Sequence, residues 1–219
     1  MMIANKKGKP ITPYLCELTP KPAVIGAVLN QIQMMIDSFT VKFDRVSAGF
    51  PGVVHHGIII TAPHMDSSCL TINLQDELMH LTNKPAHVIN DADMQGYGMV
   101  NGDGVELVIT LGTGLGSALF LQGKLLPNLE LAHHPFRDNK TYEQILGMAA
   151  LKQHGIQKWH DFLKQAITLW SQTFNYNQLY LGGGYAEKID FILPEKVKIS
   201  DNSTGILGGV KLWGKVSVF

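Results

Sequence analysis

One short polar segment carries residue types that proton-transfer chemistry requires. Asn90 and Asp91 directly follow residues 86–89, an apolar stretch with the length and composition of a buried strand. A carboxylate at a strand end can accept a proton from a substrate hydroxyl, and a neighbouring amide can bind the same substrate. Asp91 is therefore a candidate general base. Asn and Asp are also good helix caps, and this structural role would explain the segment if no other site residues accompanied it.

Two glycine-rich segments could bind phosphate, because bare backbone N–H groups can surround phosphate oxygens. The first lies between two apolar stretches and contains Gly112, Thr113, Gly114 and Gly116. It lacks the Gly-Lys-Ser/Thr ending of a P-loop, and a strand rather than a helix follows it, which excludes a dinucleotide fingerprint. The second follows another apolar stretch and contains Gly182, Gly183 and Gly184. For each segment, a tight turn is the alternative explanation.

Three further polar residues suit a neutral, polyhydroxylated ligand. Glu130, His133 and Glu143 together would supply the hydrogen-bond acceptors and donors that sugar hydroxyls demand. The pair His133-His134 near two glutamates could instead bind zinc. We favour this less, because no cysteine and no helical His-x-x-x-His pair accompany them.

The elements that must position these residues follow an alternating pattern. Strands are predicted at 1–4, 14–18, 45–50, 57–61 and 86–89, and helices at 20–38 and 74–82. From residue 105 an antiparallel meander follows, then helices at 141–154 and 158–174, strands at 179–181 and 197–199, and a last helix at 205–213. The pattern predicts an α/β fold in two lobes, residues 1–100 and 101–204, with residues 205–219 forming a helix that packs back on the N-terminal lobe. In such folds ligands bind at the carboxyl ends of strands, where both glycine segments lie.

The composition and the net charge disfavour several classes of function. The 219 residues are 45% hydrophobic and 16% charged, which is typical of a globular protein. Eighteen basic and 18 acidic residues give a net charge of zero, which disfavours direct nucleic-acid or membrane binding. Cys16 and Cys69 are too few for a disulfide framework, and no secretory or membrane-spanning stretch is evident, so we expect a reduced, cytoplasmic protein.

Taken together, these motifs resemble the ROK family of sugar kinases and repressors. Six segments match in order and approximate spacing: 49–52, 90–93, 111–118, 130–133, 142–143 and 181–184. The segments 103–107 and 127–130 look most like the polyphosphate glucokinase branch. The resemblance covers nearly the whole chain, and several motifs in order are far more specific than any one of them.

The resemblance implies a two-lobed actin-like ATPase (ribonuclease H-like) fold and a role for each matching residue. Asp91 would be the base that deprotonates the sugar 6-hydroxyl. The sugar-binding positions would be Asn90, Glu130, His133, Glu143, Gly49, Pro51, Gly52 and His64, relatives usually carrying Asn in place of His64. Gly112, Thr113, Gly114 and Gly116 would form a phosphate loop, and Gly182, Gly183 and Gly184 the adenosine-side loop or part of a polyphosphate channel.

The resemblance also implies the cofactors and partners. The donor would be ATP or polyphosphate with Mg²⁺, the acceptor glucose, and the assembly a homodimer. The Cys-rich zinc motif of many ROK proteins is absent, so we expect no structural zinc.

One departure from the family pattern concerns the start of the chain. Family members begin with a strand and an Asp-x-Gly-Gly-Thr/Ser loop that cradles the donor phosphates, whereas this sequence begins inside the second strand. We expect a truncated N-terminal lobe and impaired phosphoryl transfer. The alternative is a catalytically inactive sugar-binding or regulatory ROK protein.

Overall fold

The computed structural model describes residues 1–63, 65–200 and 204–215. Two compact units divide the chain: Met1–Met94 with Ile206–Phe219, called unit 1, and Gln95–Gly205, called unit 2. Helices and strands alternate along most of the chain, so the predicted α/β class is confirmed. No helix among the described residues is long and apolar enough to cross a membrane.

Unit 1 is built on a pair of parallel strands. Its elements, in chain order, are α1 (Ile25–Asp37), β1 (Val46–Phe50), β2 (Val54–His55), β3 (Ile58–Ile59), α2 (Leu74–Thr82), β4 (Ala86–Asn90) and the first residues of α3 (Asp91–Met99). β1 and β4 pair in parallel, with Gly49 opposite Ile89 and Phe50 opposite Asn90. β2 and β3 form a small antiparallel hairpin.

One face of the β1–β4 pair carries the core of unit 1. Alternate residues such as Phe50, Ala86 and Val88 point into a cluster with Leu74 and Leu78 of α2. The apolar stripe of α1 packs against this cluster, yet none of its residues is fully buried. The apolar face of α1 that the sequence predicts is therefore only partly covered by the core of unit 1.

The N-terminal segment differs from the prediction. No strand forms at 14–18, and residues 1–4 contribute a single bridge, between Ala4 and Pro10. The Leu15 N–H donates to the Met1 carbonyl at 2.8 Å, so the segment still folds back on itself. Prolines at 10, 13, 20 and 22 lack the N–H that a strand ladder needs, which explains the missing strand.

Unit 2 is built on a five-stranded sheet. Its elements are β5 (Val105–Leu111), β6 (Leu115–Leu121), β7 (Lys124–Leu126), β8 (Pro135–Arg137), β9 (Lys140–Thr141), α4 (Tyr142–Leu146), α5 (Met148–His154), α6 (Ile156–Phe174), β10 (Gln178–Gly182) and β11 (Val197–Ile199). The order is β11-β10-β5-β6-β7. β10 is parallel to both β5 and β11, and the β5–β6–β7 meander is antiparallel, as predicted.

The core of unit 2 lies between this sheet and α6. Trp159, Leu163 and Trp170 project from α6 and are almost fully buried among sheet residues such as Leu107 and Leu179. The helix predicted at 141–154 is interrupted: Gly147 has an extended backbone (ψ 175°) and separates α4 from α5. Glycine lacks a strong helical preference, so a break there costs little.

A buried carboxylate organises the start of β5. Glu106 is 1% exposed and accepts hydrogen bonds from the backbone N–H groups of Asn101 (2.8 Å), Gly102 (2.8 Å) and Asp103 (3.2 Å). The Tyr180 hydroxyl of β10 also donates to it, at 3.1 Å. Burial, then the adjacent Glu106 charge, raises the pKa of Tyr180 to about 12. Four donors thus compensate the buried charge and fix the turn that enters β5.

The last helix, α7 (Thr204–Lys215), covers the second face of the β1–β4 pair. Ser47 of β1 donates to the Gly209 carbonyl at 2.6 Å and accepts from the Trp213 indole at 2.9 Å. Trp213 also lies against His87 of β4, with ring centroids 4.2 Å apart, and under the Arg45 guanidinium at 4.9 Å. Aromatic and cation–π contacts therefore hold α7 on the sheet.

Candidate active site

In unit 1, the candidate residues collect at the carboxyl ends of β1 and β4. Because the two strands are parallel and paired through Phe50 and Asn90, the Pro51-Gly52 turn and Asp91 leave the sheet at the same edge. A Cβ on Gly49 would lie 3.0 Å from the Asp91 Cα and 2.9 Å from the Met94 Cε, so glycine lets α3 start close to β1.

Asn90 connects these two strand ends. Its side-chain amide donates to the Gly52 carbonyl at 3.1 Å. Its Oδ1 accepts from the N–H groups of Ala92 (2.8 Å) and Asp93 (3.1 Å), which caps α3. Asn90 is 8% exposed, so its amide is committed to positioning this edge of the site. The helix-capping role that the sequence offered as the alternative for Asn90 is thus present in the structure.

Asp91 is the first residue of α3 and is half-buried. Its Oδ1 accepts from the Ala92 N–H at 2.8 Å, and a helix N-terminus favours a negative charge. Both features stabilise a negative charge on a carboxylate at this position. His64, a candidate sugar contact, lies outside the described residues.

The Gly52 turn is held by a residue that the sequence reasoning missed. The Thr61 hydroxyl accepts from the Val53 N–H at 2.9 Å. A Cβ on Gly52 would overlap the Thr61 carbonyl oxygen, so the backbones meet directly. No sequence motif distinguishes Thr61, because the contact arises only when β2 and β3 form their hairpin.

In unit 2, the two glycine segments are neighbours. The turn 112–114 follows β5, and residues 182–184 end and follow β10, which pairs in parallel with β5 so that Gly182 lies opposite Thr110. The carboxyl ends of these strands therefore bring both segments to one edge of the sheet, as predicted from their position after strands.

The glycines in these segments serve different purposes. Gly183 has a left-handed backbone (φ +81°), and a Cβ there would lie 2.7 Å from the Leu111 nitrogen. At Gly112 and Gly184, by contrast, a Cβ would meet open space. These two open positions are where a ligand could approach the backbone closely.

Glu130 and His133 lie together on a loop of unit 2. Glu130 directly precedes a 3₁₀ turn (Leu131–His133) and His133 is its last residue, and the His133 Nε2 is 3.4 Å from the Glu130 Oε2. Ser117 of β6 anchors this loop: its hydroxyl donates to the Leu129 carbonyl and accepts from the Leu131 N–H at 3.2 Å. Ser117 is a second residue that the sequence reasoning did not select, although a serine in an apolar strand is a recognisable signal.

Glu143 lies in the first turn of α4, against the 112–114 turn. A capping box fixes the start of this helix, with the Gln144 N–H donating to Thr141 and the Thr141 N–H donating to Gln144. Burial raises the pKa of the neighbouring Tyr142, which stacks on Phe136 at 4.5 Å. The helix backbone is thereby held in place.

The described residues contain no group of three or more His, Cys, Asp or Glu side chains that could hold a metal ion. Mg²⁺ in phosphoryl-transfer sites is bound by one or two carboxylates together with substrate phosphates.

Comparisons with known proteins show which family the chain resembles. Residues 7–130 match the ROK family. The chain is 30% identical over 187 residues to a polyphosphate glucokinase of Mycobacterium tuberculosis, covering 81% of this chain and 69% of that protein. A polyphosphate glucokinase of Mycobacterium leprae is 30% identical over 186 residues, 57% of its length.

Solved structures share the fold. The crystal structure of an inorganic polyphosphate/ATP-glucomannokinase from Arthrobacter sp. strain KM superposes with a TM-score of 0.83 at 28% identity, over 96% of this chain and 91% of that one. A ROK family glucokinase from Streptomyces griseus, in complex with glucose and AMPPNP, gives 0.77 at 16% identity, over 96% and 92%.

The chain therefore belongs to the ROK family, and it is similar to that family's polyphosphate glucokinases. The likeness to ROK sugar-kinase structures confirms the predicted actin-like ATPase fold.

Proposed function

We propose that this protein phosphorylates glucose, with polyphosphate or ATP as the donor. The observation that carries the proposal is Asp91: a half-buried carboxylate at a strand end, beside an Asn90 that holds the adjoining turn. The similarity to polyphosphate glucokinases supports the choice of substrates.

The proposed reaction uses the residues as follows. Asp91 takes the proton from the sugar 6-hydroxyl while that oxygen attacks the terminal phosphorus of the donor. The bond between this phosphorus and the leaving phosphate oxygen breaks, and the leaving group keeps the electron pair. Glu130, His133 and Glu143 bind sugar hydroxyls, and Gly49, Pro51 and Gly52 line the sugar-binding turn.

The glycine segments would receive the donor. Gly112, Thr113, Gly114 and Gly116, with Gly182, Gly183 and Gly184, offer backbone N–H groups at one edge of the unit 2 sheet. Mg²⁺ would accompany the donor and neutralise charge on its phosphates.

A coupled assay for glucose 6-phosphate, with Mg²⁺ and either donor, tests the proposal. Asp91→Asn should lower kcat by about 10²- to 10⁴-fold, because the amide cannot accept the proton. Asp44→Asn, a change at an exposed position of unit 1, should leave kcat unchanged. Equal rates for Asp91→Asn and the wild type would overturn the assignment of the base.

Absence of transfer with both donors would also contradict the proposal. If glucose still raised the Tm in that case, the protein would be the alternative, a sugar-binding ROK protein without catalysis.

We further propose that the chain forms a homodimer in the cytoplasm and does not bind nucleic acid directly. The family likeness and the net charge of zero support this. Sedimentation at several protein concentrations, with and without a DNA duplex, checks the dimer and the lack of DNA binding, and fractionation of the cells that contain the protein checks its location.

A further inference from the structure

Glu143 and the 112–114 turn are joined by backbone contacts. The Met148 N–H donates to the Thr113 carbonyl at 3.2 Å, and the Gly147 N–H donates to the Glu143 carbonyl at 2.8 Å. A Cβ on Gly147 would lie 3.1 Å from the Thr113 oxygen, so no side chain separates the turn from the α4–α5 junction. The turn and the helix that carries Glu143 therefore form one packed piece.

The side chain of Glu143 lies over Gly114. A Cβ on Gly114 would overlap the Glu143 Oε1 and lie 3.2 Å from its Cδ and 3.8 Å from its Cγ. Gly114 has no left-handed backbone, so conformational freedom does not require glycine there. The carboxylate of Glu143 occupies the space that any other residue at 114 would fill.

Gly112 provides the contrast within the same turn. A Cβ at 112 would have nothing within 4 Å, and the backbone is likewise not left-handed. Gly112 thus leaves open space for a ligand, whereas Gly114 leaves space for the carboxylate of Glu143.

From this arrangement we propose that Gly114, within the phosphate-binding turn, is a positioning residue for the sugar site, because it seats the carboxylate of Glu143. This inference rests on the proposed function, in which Glu143 binds a sugar hydroxyl. It predicts that a substitution at 114 weakens binding of the acceptor sugar, whereas a substitution at 112 weakens binding of the phosphate donor.

The substitution Gly114→Ala can test this without unfolding the protein. The atom displaced first is the far end of a flexible side chain, while Tyr142 and the Thr141 capping box keep α4 in place. We expect the Tm of Gly114→Ala to stay close to that of the wild type, as for Gly112→Ala.

Calorimetric titration with glucose, and KM values for glucose and for the donor, separate the two glycines. Gly114→Ala should weaken glucose binding about 10- to 100-fold, the loss expected when a charged hydrogen-bonding group is displaced. Gly112→Ala should raise the donor KM and leave the glucose Kd unchanged.

A double-mutant cycle with Glu143→Ala, which removes the side chain that a residue at 114 would displace, provides the decisive comparison. If Gly114 acts through Glu143, the double variant should bind glucose no more weakly than Glu143→Ala alone. Additive losses, or a Gly114→Ala protein that binds glucose as tightly as the wild type, would overturn the inference and leave the proposed function intact. A wild-type protein that neither binds nor phosphorylates glucose would overturn both.

Discussion

At the scale of single residues, two acidic side chains of unit 2 differ in burial and in the number of their partners. Glu106 receives three backbone N–H groups and the Tyr180 hydroxyl, whereas Glu130 and His133 form an exposed pair at 3.4 Å. Exposed ion pairs contribute little to stability, and a satisfied buried carboxylate contributes more. Glu106 is therefore a structural group, whereas the contact between Glu130 and His133 contributes little to stability.

Glu106→Gln should destabilise the protein by about 1–3 kcal/mol, because an amide N–H₂ would replace one acceptor facing backbone donors. It should also lower the pKa of Tyr180 from about 12, since the neighbouring charge is gone and burial remains. Urea unfolding and an absorbance titration of tyrosine measure the two effects.

The matched control is Glu195→Gln, at an exposed position of the same unit. It should change stability by less than about 0.5 kcal/mol. Equal stabilities of the two variants would contradict the role given to Glu106.

How much of the site could be predicted differs from residue to residue. Asn90 and Asp91 could be found because an apolar strand followed by a polar cap is a local pattern. Ser117 is recognisable as a serine in an apolar strand, but the loop that it anchors, and the Val53 backbone that Thr61 contacts, are evident only in the folded protein. The contact between Gly114 and the Glu143 carboxylate likewise exists only in the folded protein, so the sequence alone does not show it.

At the scale of elements, local signals set most boundaries. The prediction of a helix at 74–82 is confirmed, with Asn73 capping its start and Asn83 ending it in a left-handed conformation. The strand predicted at 14–18 is wrong, because proline spacing outweighs apolar content there. The helix predicted at 141–154 is broken at Gly147, where the chain must pass close to the Thr113 carbonyl.

The contact between α7 and β4 should respond to pH through His87. Burial, and secondarily the Arg45 charge, lowers the pKa of His87. On acidification the unfolded chain therefore takes up this proton before the folded one, so stability is full above the ordinary histidine pKa and falls as the pH drops from about 7 to 5.

Thermal unfolding at pH 8 and pH 5.5 measures this effect. The decrease in Tm from pH 8 to pH 5.5 should be smaller for His87→Gln than for the wild type. For the control His55→Gln, at an exposed position of unit 1, it should equal that of the wild type. If the decrease in Tm is the same for His87→Gln and the wild type, His87 does not contribute to the pH dependence of stability.

At the scale of the whole molecule, the two units differ in their cores. The described residues supply eight buried core residues to the cluster of unit 1 and twenty to that of unit 2. The α1 helix has no buried residue, whereas α6 has seven. Local stability follows buried apolar contact, so unit 1 should open more readily.

Hydrogen exchange measured by mass spectrometry checks this difference. Amides of β5, β6 and β10 should exchange more slowly than those of β1 and β4, and glucose should slow exchange around Asn90 if it binds there. Faster exchange in the unit 2 sheet than in β1 and β4 would contradict this ranking.

The placement of the three tryptophans has a practical consequence. Trp159 and Trp170 are buried in unit 2, and Trp213 lies in α7 of unit 1, in contact with the His87 ring. A variant with Phe at 159 and 170 emits only from Trp213, and Trp213→Phe emits only from the other two. Each half of the protein thus contains its own fluorescent reporter, so ligand-induced and pH-induced changes can be assigned to one unit without an added dye.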